Sequence, residues 1–122
     1  MTYSEFRYLW QVGRLASGGA VRLRDVTNAM TVSKVSVFRA VERLERAGYV
    51  DKSRDRKIRL TEKGQKILEE YRYAMRCLQE RLLAPLGFAE DRAEEEAMRL
   101  VSALSEKGRK QIASAWQGVA ER

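Results

Sequence analysis

Histidine is absent from this chain, cysteine and proline occur once each, and there is no run of about eighteen apolar residues. Each absence narrows the chemistry. Without histidine, the commonest general base and the commonest transition-metal ligand are missing. The lone Cys77 cannot close an internal disulfide, complete a zinc-finger spacing or form a cysteine–histidine pair. The lack of a long apolar run, and of an apolar segment behind a basic start, argues against membrane spanning and secretion, so a cytoplasmic protein is expected. An enzyme would have to draw on carboxylates such as Glu69, Glu70 and the run Glu94, Glu95, Glu96. Such acidic runs suit helix starts, where they complement the helix dipole. No catalytic constellation is present, and the chain reads as a non-enzyme.

What is present is charge of one sign, unevenly placed. The formal net charge is +7 over 122 residues. Residues 1–64 hold 14 Lys and Arg against 7 Asp and Glu, whereas residues 65–122 hold ten of each. Attraction for a polyanion would therefore come from one half of the chain. With 44% hydrophobic residues, a chain of this length hides roughly two-thirds of its unfolded surface and needs no disulfide staple.

Thr2 and Glu5 have capping-box spacing, and Phe6, Leu9, Trp10, Val12 and Leu15 recur at helical intervals, which predicts a helix from about Tyr3 to Ala16. Ser17, Gly18 and Gly19 break it. Val21 and Leu23 alternate with Arg22 and Arg24 in a short extended segment, and a second helix follows from about Arg24 to Met30, burying Val26 and Met30. Thr31 and Val32 make a turn. Ser33 is placed to cap a third helix that runs to Ala47 and stops at Gly48. One stripe of this helix, Val37, Ala40, Val41, Leu44 and Ala47, is apolar and must face a core; the other, Ser36, Arg39, Arg43 and Arg46, is presented.

Tyr49 and Val50 lead into Lys52, residues 53–56 have turn character, and Lys57, Ile58, Arg59 and Leu60 alternate charged with apolar side chains. This pattern predicts a short hairpin with a cationic tip carrying Lys52, Arg54, Arg56 and Lys57. Helix, turn, helix and basic hairpin in succession form a module that straddles a groove of double-stranded DNA, with phosphates supplying most of the nonspecific affinity. Thr61 is placed to cap a long helix with Ile67, Tyr71, Met75, Leu78 and Leu82 on one side, ending before Pro85 and Gly87. A further helix has the stripe Ala93, Ala97, Leu100, Val101 and Leu104, and a last one, capped by Ser105, has Ile112, Trp116 and Val119. These stripes exceed what a domain of that size needs for its own core, which predicts burial between two copies. The expected fold is mainly α: a winged helix-turn-helix with a small β-hairpin over residues 1–64, then a helical dimerisation and sensing domain over residues 65–122.

Five segments carry a family likeness: residues 33–37 at the start of the third helix, residues 41–50, residues 60–64, residues 78–83 with Leu86-Gly87 behind them, and residues 96–99 with Leu104-Ser105. In these the chain resembles the metal-dependent repressors of the diphtheria toxin repressor and manganese transport regulator type, from about Phe6 to Ile112. The block Glu80-Arg81-Leu82-Leu83 followed by Glu96-Ala97 is its most specific part. The resemblance implies DNA recognition by Ser33, Val35, Ser36 and Arg39, with Val35 in place of a frequent proline, and dimerisation and metal sensing by the later helices; Lys34, beside Ser33, is a further expected DNA contact. Its metal ligands are largely replaced. The positions fall at Arg76, Glu80, Glu94 and Met98, with Val101 and Ser102 in the second set, and only Glu80 keeps its identity. No cofactor is therefore expected, the alternative being manganese or iron held by an altered ligand set. Arg76 between Glu80 and Glu94 would put a fixed guanidinium where a cation would otherwise join the helices.

These readings lead to a homodimeric, sequence-specific DNA-binding transcriptional repressor. The alternatives are a ligand-sensing repressor of the multiple-antibiotic-resistance type and a winged-helix protein-interaction module with an acidic partner.

Overall fold

The computed structural model describes residues 1–16, 19–53 and 55–120, the last five of these as backbone alone. The sequence-predicted roles of Ser17, Gly18 and Arg54, and of the Trp116 and Val119 side chains, lie outside the described residues. The described chain forms α1 (Tyr3–Ala16), β1 (Ala20–Arg22), α2 (Leu23–Met30), α3 (Lys34–Arg46), β2 (Val50–Lys52), β3 (Lys57–Leu60), α4 (Glu62–Leu78), α5 (Glu90–Ala103) and α6 (Glu106–Ala120). It divides into two compact units, Ser4–Leu68 and Glu69–Arg122 with Met1–Tyr3.

In the unit Ser4–Leu68 the helix boundaries follow from local chemistry. The Ser33 hydroxyl accepts from the Ser36 N–H at 3.1 Å, satisfying one of the orphan donors at the start of α3. Thr61 caps α4 in the same way, its Oγ1 accepting from the Gly64 N–H at 3.0 Å while donating to the Gly48 carbonyl at 2.5 Å. Thr31, at φ 55°, ends α2 in the left-handed region, and Gly48, at φ 84°, turns the chain out of α3. Gly64 is required for a different reason: a side chain there would collide with the Tyr49 carbonyl, against which the start of α4 packs.

The sheet is larger than the expected hairpin. β3 pairs antiparallel with β2, Val50 facing Leu60, and also with β1, Val21 facing Ile58, giving three strands in the order β1-β3-β2. Because Val21, Val50 and Ile58 all point inward and are buried, the segment before α2 becomes a strand, and Arg22 at its end is fixed beside the base of the wing. The core of this unit includes Phe6, Leu9, Val12, Val26, Val37, Ala40, Val41 and Leu44, all almost fully buried. It departs from the expected stripes on two helices. On α1, Trp10 and Leu15 are half-buried while Tyr8 and Ala16 are buried; on α3, Ala47 is exposed because it is the C-cap and not part of the last buried turn.

In the unit beginning at Glu69 the apolar periodicity of α4 is interrupted. Tyr71, Ala74, Met75 and Cys77 are buried, but the next buried side chain is Leu83, and Leu82, expected on the stripe, is 44% exposed. The reason is a π-helical turn over Gln79–Leu83, which inserts one residue and rotates the following face by about one position. A 3-10 turn over Ala84–Leu86, with Pro85 in its first turn, then ends the helix at a left-handed Gly87. On α5 the buried stripe is Ala93, Ala97, Met98 and Val101; Leu100 is exposed and Leu104 half-buried.

Arg109 of α6 does not stand out in the sequence pattern, yet it is buried. Its Nε donates to Glu70 Oε1 at 3.3 Å, its Nη1 donates to the Leu104 carbonyl at 2.8 Å, and its guanidinium lies 4.1 Å from the Tyr71 ring centroid. This contact set satisfies a charge that would otherwise be costly to bury and clamps the start of α6 to α4.

Candidate nucleic-acid interface

The N-terminal half of α3 borders a groove of about 790 Å³ within the unit Ser4–Leu68. Its walls are Arg22, Leu23, Arg24 and Thr27 at the β1–α2 junction, Lys34, Val35, Phe38, Arg39 and Glu42 on α3, and Asp55 and Arg56 at the wing. On α3 the lining residues 35, 38, 39 and 42 follow the i, i+3, i+4, i+7 rule for one helical face. Among the described residues, none of the five groove cations Arg22, Arg24, Lys34, Arg39 and Arg56 is held in an ion pair. Two large apolar side chains stand among them, Val35 at 58% exposure and Phe38 at 46%.

The structure divides the sequence-predicted DNA contacts. Lys34, Val35, Arg39 and Arg56 come together on the groove. Ser33 and Ser36 are exposed at its N-terminal end but are engaged with each other, the Ser33 hydroxyl donating to Ser36 Oγ at 2.9 Å. Arg43 lies beyond the groove and is 3.8 Å from Glu5 of α1; Lys57 is 3.8 Å from Asp55. Lys52 is engaged on the protein side. Its backbone N–H donates to Glu45 Oε2 at 3.1 Å, and its ammonium lies 3.9 Å from Glu45 Oε1 and 4.7 Å over the Phe38 ring. Lys52 thereby ties the base of the wing to α3.

Seven groove residues are additions to the predicted contacts, Arg22, Leu23, Arg24, Thr27, Phe38, Glu42 and Asp55, and of these Arg22 and Arg24 add charge and Phe38 an exposed ring. The alternation of Val21 with Arg22 was the available signal for Arg22, whereas Arg24 reaches the groove from the first turn of α2, beside Leu23. Phe38 had none, because an aromatic residue next to a buried valine reads as core.

The wing turn is compact. The Ser53 N–H donates to the Lys57 carbonyl at 2.9 Å, the Arg56 N–H donates to the Ser53 carbonyl at 3.2 Å, and the Ser53 hydroxyl donates to the Asp55 carboxylate. That hydroxyl holds the Asp55 carboxyl below its ordinary range. Arg56 adopts φ 62°, a left-handed conformation at the end of a tight turn.

Of the positions implied for metal sensing, Arg76 lies on α4, Glu80 in the π-helical turn, and Glu94 and Met98 on α5. Arg76, Glu80 and Glu94 are exposed, Met98 is buried, and no ion pair joins Arg76 to either carboxylate. The guanidinium bridge expected there is not formed within the described chain. The donor set, one cation, one thioether and two separate carboxylates, does not suit a hard or borderline divalent ion. Among the described residues, no cluster of three or more His, Cys, Asp or Glu offers an altered ligand set, and no helix is long and apolar enough to cross a membrane.

Comparison with known proteins bears on the fold. Residues 1–57 match the model of the MarR family. No curated protein matches the chain at a significant level. Among solved structures, the hypothetical protein SSo2273 from Sulfolobus solfataricus is similar over 100% of this chain and 92% of its own length, at 21% identity and a TM-score of 0.73. The manganese regulator SloR is similar over 96% of this chain at 23% identity and a TM-score of 0.77, and IdeR of T. acidophilum over 96% at 22% and 0.71. This chain spans only 55% of the length of each of these two. The sequence match thus falls to the family considered second from sequence, while the structural neighbours include regulators of the type whose motifs the chain resembles. Both lead to the same architecture: the chain has a winged helix-turn-helix fold.

Proposed function

We propose that this protein is a homodimeric, sequence-specific DNA-binding transcriptional repressor that works without a bound metal. The observation that carries the reading is the groove beside α3, where five cations free of ion pairs among the described residues surround the presented face of a helix that follows a tight turn. Insertion of α3 into the major groove brings its N-terminal residues to base edges, while Arg56 on the wing and Arg22 and Arg24 at the foot of α2 meet phosphates on either side. Repression follows from occupancy of a promoter site. Metal independence is supported by the unsuitable donor set at Arg76, Glu80, Glu94 and Met98.

In a two-fold dimer the recognition helices lie about 34 Å apart, one DNA turn, and the operator is an inverted repeat. Leu82, Leu86, Phe88 and Leu100, exposed in the C-terminal unit, supply apolar surface for the second copy. The test is selection of bound duplexes from a random library, with chelator and with added manganese or iron. One inverted-repeat site under all conditions is expected; a site recovered only with metal would overturn the metal-independent reading. The match of residues 1–57 to the MarR family supports a second reading, a repressor released by a small organic ligand. Loss of DNA binding on addition of such a ligand would favour it.

A further inference from the structure

Phe38 is an anomaly on a surface built of charge. It is 46% exposed on the same helical face as Val35, at 58%, and both border a groove whose other α3 walls are Lys34, Arg39 and Glu42. Leaving two large apolar side chains in water forgoes the stabilisation that burying them would give. The Lys52 ammonium, 3.9 Å from Glu45, lies 4.7 Å over the ring, which also lines the groove.

Resting on the DNA-binding reading above, we infer that Phe38 and Val35 form an apolar reader of thymine C5-methyl groups. The surrounding cations select a polyanion as the occupant, and the only apolar group that a base edge offers in the major groove is the thymine methyl, which Phe and small aliphatic side chains contact. The spacing fits. Side chains three apart on a helix have Cβ atoms about 5–6 Å apart, and successive bases of one strand rise about 3.4 Å, so the pair spans one or two base steps. Arg39, on the same face, reads a neighbouring guanine, and the preferred half-site combines a guanine with one or two thymines.

The experiment uses the best duplex from the random selection and a set in which each thymine is replaced singly by deoxyuridine, which removes only the methyl. Wild-type protein is expected to lose about fourfold in affinity at one or two half-site positions, the equivalent of about 0.8 kcal/mol per buried carbon, and nothing elsewhere. Phe38→Gln should bind the thymine and uracil duplexes alike at one of those positions, whereas Phe38→Leu should keep the discrimination. Both substitutions are at an exposed site, and circular dichroism verifies the fold. A protein that enriches a site but tolerates uracil at every position overturns this inference alone, as does Phe38→Gln with an unchanged uracil penalty. A protein that binds no duplex overturns the DNA-binding reading with it.

Discussion

Replacing Arg39 and Arg43 separately by alanine tests whether position on the groove decides which arginines reach DNA. The two residues lie one turn apart on α3 and look equivalent in sequence. Arg39 borders the groove and has no ion pair among the described residues, whereas Arg43 is 3.8 Å from Glu5 with its side chain 46% exposed. Arg39 therefore meets a base edge without giving up an intramolecular partner, and Arg39→Ala should lose the full worth of a guanine contact, about 1–3 kcal/mol, on the selected site. That is roughly 5- to 150-fold in affinity. An exposed pair such as Arg43–Glu5 is worth about 0–1 kcal/mol, and Arg43→Ala should change both stability and DNA affinity by less than about fivefold. Fluorescence anisotropy on the selected duplex and on a random duplex, at several salt concentrations, measures both affinities. Arg56→Ala supplies the contrast: it should weaken binding to all sequences and reduce the salt slope by about 0.9, the value for one phosphate. Equal loss for Arg39→Ala on selected and random duplexes would assign that residue to the backbone. A loss for Arg43→Ala as large as that for Arg39→Ala would refute the premise that position on the groove decides.

Sedimentation should give twice the chain mass at micromolar concentration; a monomer would remove the basis for an inverted-repeat operator. Arg109→Ala should destabilise the protein by about 1–3 kcal/mol through the loss of its hydrogen bonds and ring contact, and Glu70→Gln should cost about as much, because it leaves the buried guanidinium without its countercharge; urea denaturation checks both. Burial pushes the Cys77 thiol up to about 11, so little thiolate is present at pH 8 and a thiol reagent should react slowly until the chain is unfolded. Because that folded value exceeds the unfolded one, the contribution of Cys77 to stability is fully present below pH 9 and is lost as the pH rises toward about 11. Cys77→Ser should flatten the alkaline limb of the stability profile; an unchanged limb would show that Cys77 is not its source.

Local chemistry made most of the fold legible. Ser33 and Gly48 define the two ends of α3 through a side-chain cap and a left-handed residue, each visible in sequence because it depends only on near neighbours, whereas the left-handed φ of the β-branched Thr31 was not. The stripe Val37, Ala40, Val41 and Leu44 could be read for the same reason: a helical period of 3.6 specifies a face before any partner is known. The cationic first half follows from composition alone.

Only tertiary structure decided which charges remain available and which apolar residues stay outside. β1 joins the sheet through pairing with β3, more than thirty residues away, so no local pattern placed Arg22 beside the wing. The π-helical turn at Gln79–Leu83 shifts the buried face from Leu82 to Leu83, a change that periodicity cannot anticipate because it is the period itself that changes. Arg109 is buried because Glu70, Tyr71 and the Leu104 carbonyl converge on it. Lys52 is occupied because Glu45 and Phe38 lie beneath it. In each case composition and spacing determine what a side chain is able to do, but the fold determines which partners it finds, since the energy of a charge or an apolar ring depends on what surrounds it.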